Sequence, residues 1–245
     1  MKEWIAGRNP VFECLRAGRR QVFDLRIAQG VQEKGRLAEI IRLCDSANIP
    51  KDYVPRQSLD QQGDNHQGVM LRVSAYPYRS MEEMLALAND RSEPPFLLLL
   101  DTLQDPQNLG ALLRTAEIVG VHGVLLPLRQ TATVTPAVVS ASSGASEHLL
   151  VAQTNLAQAI EILKKENVWV IGLDEGPRAL PPEQVRLDGS LALIVGNEGS
   201  GMRRLVAESC DMLLRLPMRG RVGSLNAAVA GSVALYLAWQ ARGFR

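Results

Sequence analysis

Five apolar runs in the later part of the chain, at 96–100, 123–126, 168–173, 191–195 and 212–214, alternate with stretches of helical apolar spacing. Runs this continuous suit strands buried on both faces, and strands separated by helices suit a mostly parallel sheet with helices on either side. The expected class is therefore α/β. In such a sheet the loops that follow the strands gather at one edge, where ligands bind. The residues that follow these runs are polar or glycine, so that edge is where chemistry is expected.

The first 75 residues read as a separate small α/β unit. Asn9-Pro10 is expected to cap and open a helix that Gly18 closes. Residues 22–28 read as a strand, and Leu37, Ile40, Ile41 and Cys44 fall at helical spacing. Residues 50–55 and 69–73 read as two further strands around a polar turn at 63–68. Composition changes over 76–95, where a short helical run near 81–88 precedes Glu93-Pro94-Pro95. This stretch is expected to be a linker, leaving 96–245 as the second domain.

Bulk composition excludes several classes. Apolar residues make up 46% of the 245 and charged residues 22%, a globular balance rather than a disordered one. Cys14, Cys44 and Cys210 form no C-x-x-C pair, and with only His66, His122 and His148 beside them no zinc site or disulfide framework is expected. No metal is expected, and the reducing cytoplasm fits this cysteine usage. No apolar run is long enough to span a bilayer. Net charge is only +1, yet the first 75 residues hold 12 basic and 9 acidic groups, which makes them the better electrostatic partner for a polyanion.

Three segments stand out. The strand at 96–100 ends in Asp101, and a polar loop leads to Asn108, after which Leu112, Leu113, Ala116 and Val119 trace an apolar helix face. Arg114 points away from that face. Asn108 could equally be an ordinary helix cap and Arg114 a solvated surface residue. Gly196-Asn197-Glu198-Gly199-Ser200-Gly201 follows the strand at 191–195. Its glycine spacing is not that of a dinucleotide loop, and it lacks the lysine of a phosphate-binding loop. Three glycines around a carboxylate suit a backbone that closely approaches a ligand, though a flexible turn has the same composition. Leu216-Pro217-Met218 then leads to Ser224-Leu225-Asn226, where Ser224 could cap the last helix, at about 225–242, and Asn226 lies just inside it as a poor helix former.

Taken in order, these segments resemble the three motifs of the SpoU family of RNA ribose 2′-O-methyltransferases, over most of 96–242. The first 75 residues are similar to the small RNA-binding domain of members that modify large-subunit rRNA, through Gly7-Arg8-Asn9-Pro10-Val11 and His66-Gln67-Gly68-Val69. The resemblance implies a C-terminal trefoil knot, a rare exception to the rules of chain topology. It implies S-adenosylmethionine as cofactor, held by Leu193, Val195, Gly196, Asn197, Gly199, Leu214, Leu216, Pro217, Met218, Ser224 and Leu225. It also implies a homodimer through the last helix, whose small residues permit close approach of another backbone, either within the domain or across a dimer interface.

By the same resemblance Arg114 assists the attacking 2′-hydroxyl, with Asn108, Glu198 and Asn226 shaping the site. A guanidinium is almost always protonated, so Arg114 is read chiefly as a cation that stabilises the oxyanion. Arg8, Arg16, Arg19, Arg20, Arg203, Arg219 and Arg221 are candidates for RNA phosphates, and each could equally be a solvated surface group. The expected substrate is a guanosine of 23S rRNA, free or in an assembling ribosomal particle. A tRNA methyltransferase, an antibiotic-resistance rRNA methyltransferase and a non-catalytic RNA-binding module are the rival readings.

Overall fold

The computed structural model of the chain describes residues 2–63, 65–197 and 199–244. The chain runs β1 (Lys2–Ala6), α1 (Arg8–Ala17), β2 (Val22–Ala28), α2 (Arg36–Ser46), β3 (Lys51–Val54), α3 (Arg56–Asp60) and β4 (Val69–Ser74). It continues through α4 (Met81–Asp90), β5 (Phe96–Leu100), α5 (Pro106–Ile118), β6 (Gly123–Pro127), α6 (Pro136–Ala141), β7 (Val151–Thr154) and α7 (Leu156–Lys165). It ends with β8 (Trp169–Leu173), β9 (Leu191–Val195), α8 (Arg204–Ser209), β10 (Met212–Leu214) and α9 (Ala227–Ala241). Two compact units form: the chain up to Pro77 with Val134–His148, and Tyr78–Thr133 with the chain from Leu149 onward.

The first unit holds a four-stranded sheet in the order β1-β4-β2-β3, with β4 antiparallel to both its neighbours and β2 parallel to β3. Ile5, Leu25, Ile27, Leu71 and Val73 alternate along one face and are fully buried, as are Val11, Leu37, Ile40 and Cys44 from the helices. The expected cap at Asn9 is not made. Gly7 occupies the cap position with φ 98°, and Arg8 and Asn9 already lie inside α1. Only glycine reaches that backbone conformation without strain, so chain geometry, not a side-chain bond, starts this helix. Gly18 closes it in the left-handed region, as expected.

The segment Val134–His148 comes from the stretch that the sequence assigned wholly to the second domain. It is fastened inside the first unit by a buried ion pair, Arg20 Nη2 to Glu147 Oε1 at 2.7 Å, with Glu3 on the other side of the guanidinium at 2.8 Å. The Tyr76 hydroxyl donates to the Ser146 carbonyl, and His148 meets Glu13 at 2.8 Å. Arg20 was expected to face RNA. Its side chain has no exposed surface and both its carboxylate partners are internal, so it is a structural cation instead.

In the second unit all six strands are parallel, ordered β10-β8-β9-β5-β6-β7. The four inner strands are almost entirely buried, which is what their unbroken apolar sequences require. Strand β7 was missed because only Val151 and Ala152 of its four residues are buried. Helix α4 lies inside the expected linker and starts with a capping box between Ser80 and Glu83. Asp105 precedes α5 as its cap, its carboxylate accepting from the Gln107 N–H at 3.0 Å, so Asn108 is not a cap.

Candidate active site

Parallel strands put all their carboxyl ends at one sheet edge, and the sequence after each end decides what stands there. Strand β5 is followed by Asp101, β8 by Asp174, β9 by Gly196 and β10 by Arg215. The last three ends close on one cavity of about 300 Å³, in the size range of small-molecule sites. Val195, Gly196, Asn197, Gly199, Leu214, Leu216, Met218, Ser224 and Leu225 line it. Leu193 does not, because it lies in the middle of β9, paired with Ile171 and Leu98 and fully buried. Pro217 stands between two lining residues without itself lining the cavity. Glu198 lies outside the described residues.

Ser200 and Gly201, of the loop already singled out, also line the cavity, as do Leu173, Asp174, Glu175, Ala227 and Ala230, which the sequence reading missed. Asp174 and Glu175 follow the β8 run directly, so the rule that located the other loops would have found them. Ala227 and Ala230 could not be found that way, since they reach the site only because α9 packs beside β9.

The Gly196 loop is held from two sides. Asn197 and Gly201 exchange backbone hydrogen bonds at 3.0 and 2.9 Å, and the Asn197 side chain accepts from the Gly199 N–H and donates to the Thr102 carbonyl. A Cβ on Gly196 would stand 2.3 Å from the Gly201 carbonyl carbon, so glycine is obligatory there. Beyond the loop, the Arg203 N–H and guanidinium both donate to Asp101, each at 2.7 Å. Asp101 is completely buried, and this pairing meets the requirement that a buried charge be compensated. Arg203 therefore ties the second segment to the end of β5, a duty that the phosphate reading did not foresee.

Asn226, not Ser224, caps α9. Its Oδ1 accepts from the Ala228 and Val229 N–H groups at 2.9 and 3.2 Å. Its Nδ2 donates to Asn108 Oδ1 at 3.0 Å, which joins the first segment to the third. The same two helices meet again where the Thr115 and Ser232 hydroxyls lie 2.9 Å apart, and where a Cβ on Gly231 would stand 2.6 Å from Leu112. Asn108, Leu112 and Thr115 are four and three residues apart, one ridge of α5, and Gly231 lets α9 press onto it. Arg114 lies off this ridge on an exposed face of α5.

Arg8 bonds the Gln67 side chain and carbonyl, and Arg19 donates to the carbonyls of Glu147 and Pro77. Arg16, Arg219 and Arg221 are exposed. The three cysteines are free. Burial pushes Cys44 up to about 11 and Cys210 up to about 12, so neither is a thiolate nucleophile at neutral pH. Among the described residues no group of three or more His, Cys, Asp and Glu is placed to hold a metal ion. Among them, too, no helix is long and apolar enough to cross a membrane.

Fold and site together define an α/β protein with a glycine-walled small-molecule cavity at the carboxyl edge of a parallel sheet, accompanied by a smaller α/β unit. Residues 95–236 match the SpoU rRNA methylase family, and residues 4–79 match the substrate-binding domain of RNA 2′-O ribose methyltransferases. A Bacillus subtilis protein, YacO, assigned to the TrmH family of tRNA/rRNA methyltransferases, is 42% identical over 98% of this chain and 96% of its own. The SpoU methyltransferase AviRb from Streptomyces viridochromogenes, solved with the cofactor AdoMet, superposes with a TM-score of 0.81 at 20% identity, covering 98% of this chain and 89% of that one. An AdoMet-bound rRNA methyltransferase from Sinorhizobium meliloti gives 0.79 at 21% identity, over 98% and 87%. The chain therefore belongs to the SpoU family, as an RNA methyltransferase with the fold of the trefoil-knot α/β class.

Proposed function

We propose that this chain transfers a methyl group from S-adenosylmethionine to the ribose 2′-hydroxyl of a guanosine in 23S rRNA. The observation that carries the reading is the single cavity formed by the Gly196 loop, the ends of β8 and β10, and the first turn of α9. Its residues fit the cofactor: the loop backbone is bare of side chains at Gly196, Gly199 and Gly201, and Leu173, Leu214, Leu216 and Met218 offer apolar walls. Asp174 and Glu175 bring carboxylates to the same wall, suited to hydroxyl and amino groups. When bound, S-adenosylmethionine supplies a methyl group on a sulfonium, which a ribose 2′-oxygen can displace.

The chain's own residues then have three tasks. The Asn108–Asn226 bond and the α5–α9 ridge hold the first and third segments together at the start of α9. Arg114, a permanent cation, orients the hydroxyl and its neighbouring phosphate and stabilises negative charge as the 2′-oxygen loses its proton. Arg219 and Arg221 hold RNA phosphates near the cavity, a positioning role. An RNA substrate is supported by the first unit, which matches the substrate-binding domain of RNA 2′-O ribose methyltransferases, and rRNA by the SpoU rRNA methylase match of the second.

The working form is a homodimer through α9. Val229, Val233 and Tyr236, at steps of four and three, make an exposed apolar stripe with 42 to 49% of each residue accessible. Val233→Glu is expected to convert the dimer to a monomer in light scattering; a wild-type chain that is already monomeric would remove this part of the reading.

Labelled methyl from S-adenosylmethionine, offered with unmodified rRNA and with tRNA, tests the function. Alkali-resistant label in large-subunit rRNA is the expected result, and label in tRNA alone would overturn the substrate. Gly196→Ala is expected to reduce S-adenosylmethionine affinity at least tenfold in calorimetry, since its methyl has only main chain to displace. Unchanged affinity would move the cofactor out of this cavity.

A further inference from the structure

The sheet of the first unit has a second face, opposite its buried core, and α3 covers only part of it. Leu59 of α3 packs with Ala28 and Met70, and Trp4, Ala6, Val31 and Val54 pack against that cluster. The rest of the face is built differently. Register sets Trp4 of β1 beside Arg72 of β4, and Arg72 beside Asp24 of β2. Simple alternation would then send Phe23 to the core side. A bulge between Val22 and Asp24 breaks the alternation and leaves Phe23 as the extra residue. Phe23 lies on the same face as Asp24, because the Lys2 ammonium, two residues before Trp4 on β1, sits 4.3 Å from its ring centroid.

Both aromatic rings on this face carry cations. The Arg26 guanidinium is 4.5 Å and the Arg72 guanidinium 5.6 Å from the Trp4 ring centroid. Arg26 and Arg72 keep 29% and 36% of their side chains exposed, so they remain open to a ligand. Asp24 is 4% exposed and pairs with Arg72 through Oδ2, while its Oδ1 is buried with no hydrogen-bond partner. The Arg26 Nε lies 3.9 Å from that oxygen, beyond hydrogen-bond reach.

We propose that this face binds single-stranded RNA. It is a four-stranded sheet presenting aromatic rings interleaved with guanidinium planes, and both are surfaces on which unpaired bases stack. Lys2, Arg26 and Arg72 meet the backbone phosphates, with Asp24 beneath them fixing the Arg72 guanidinium. The inference rests on the reading of the chain as an enzyme acting on RNA, and it supplies the surface of the first unit on which that RNA is gripped.

The test compares the wild-type chain with Phe23→Ala and Arg26→Gln, each checked for an unchanged unfolding curve. Arg26 is partly exposed, so its variant keeps the test open should Phe23→Ala fold poorly. Fluorescence anisotropy with a labelled twelve-nucleotide single-stranded RNA of mixed sequence reads affinity. Each variant is expected to raise Kd about tenfold, and to raise KM for rRNA with kcat at saturation and S-adenosylmethionine affinity unchanged. Unchanged Kd and KM in both variants would overturn the proposal. So would loss of self-association with RNA affinity intact, which would assign the face to a protein partner. If the wild type transfers no methyl to any RNA, yet its RNA affinity still depends on Phe23 and Arg26, the face stands and the catalytic reading falls.

Discussion

Arg114→Ala is expected to lower kcat for methyl transfer by about a hundredfold to a thousandfold, the scale on which removing a charge-stabilising donor acts at a developing oxyanion. The same variant should bind S-adenosylmethionine as the wild type does, because Arg114 is not among the residues that line the cavity. An unfolding curve recorded alongside ensures that the loss of kcat is read from folded protein. Arg114→Lys distinguishes the ways in which the residue acts. Lysine keeps the charge but not the planar fork, so partial activity would show that charge suffices, and none would show that the fork is needed to hold hydroxyl and phosphate together. Full activity in the alanine variant would return Arg114 to the solvated surface and move catalysis elsewhere.

Arg20→Ala is expected to destabilise the first unit by about 3–5 kcal/mol, the cost of leaving a buried carboxylate without its partner. Glu147 is 1% exposed and receives two hydrogen bonds from Arg20, at 2.9 and 2.7 Å, and Glu3 and the Tyr76 ring lose the same cation. Burial alone would make the guanidinium easier to deprotonate, but the bond and charge of Glu147 outweigh it and hold the group above the ordinary arginine value. That stabilisation is complete below the ordinary arginine pKa and is lost only at pH above it. Denaturant unfolding should therefore show the same deficit at pH 6 and pH 8. The double variant Arg20→Ala with Glu147→Leu should recover part of the loss, because no unpaired charge is left. A deficit below about 1 kcal/mol would mean that Val134–His148 is held mainly by other contacts.

Much of the second sheet was legible because its strands are buried on both faces. The limits expected for 96–100, 191–195 and 212–214 are those observed. The amphipathic and short elements were harder. Strand β1, with Ile5 alone fully buried, and the five-residue α3 gave no periodic signal and went unread. Helix starts were misjudged wherever backbone conformation replaced side-chain capping, as at Gly7, or where several polar residues competed for one cap, as Ser224 and Asn226 did. At the site, residues on strand-following loops could be read in order along the chain. Leu193, expected beside the cofactor, does not reach the cavity wall, because a continuous motif does not show which of its residues lie inside the strand.

The sequence by itself determined the α/β class, five of the six strands of the parallel sheet and the three polar or glycine-bearing segments that follow them, because unbroken apolar runs and glycine-rich loops are local properties. Tertiary structure alone decided which partners those segments find. It joined Asn108 to Asn226 across 118 positions and Arg203 to Asp101 across 102, and it took Arg20 out of solvent to meet Glu147 across 127. Each of these pairings depends on chain returns that no local spacing records. A cation's meaning, whether phosphate contact, loop tether or buried countercharge, is set by what the fold brings within about 3 Å of it.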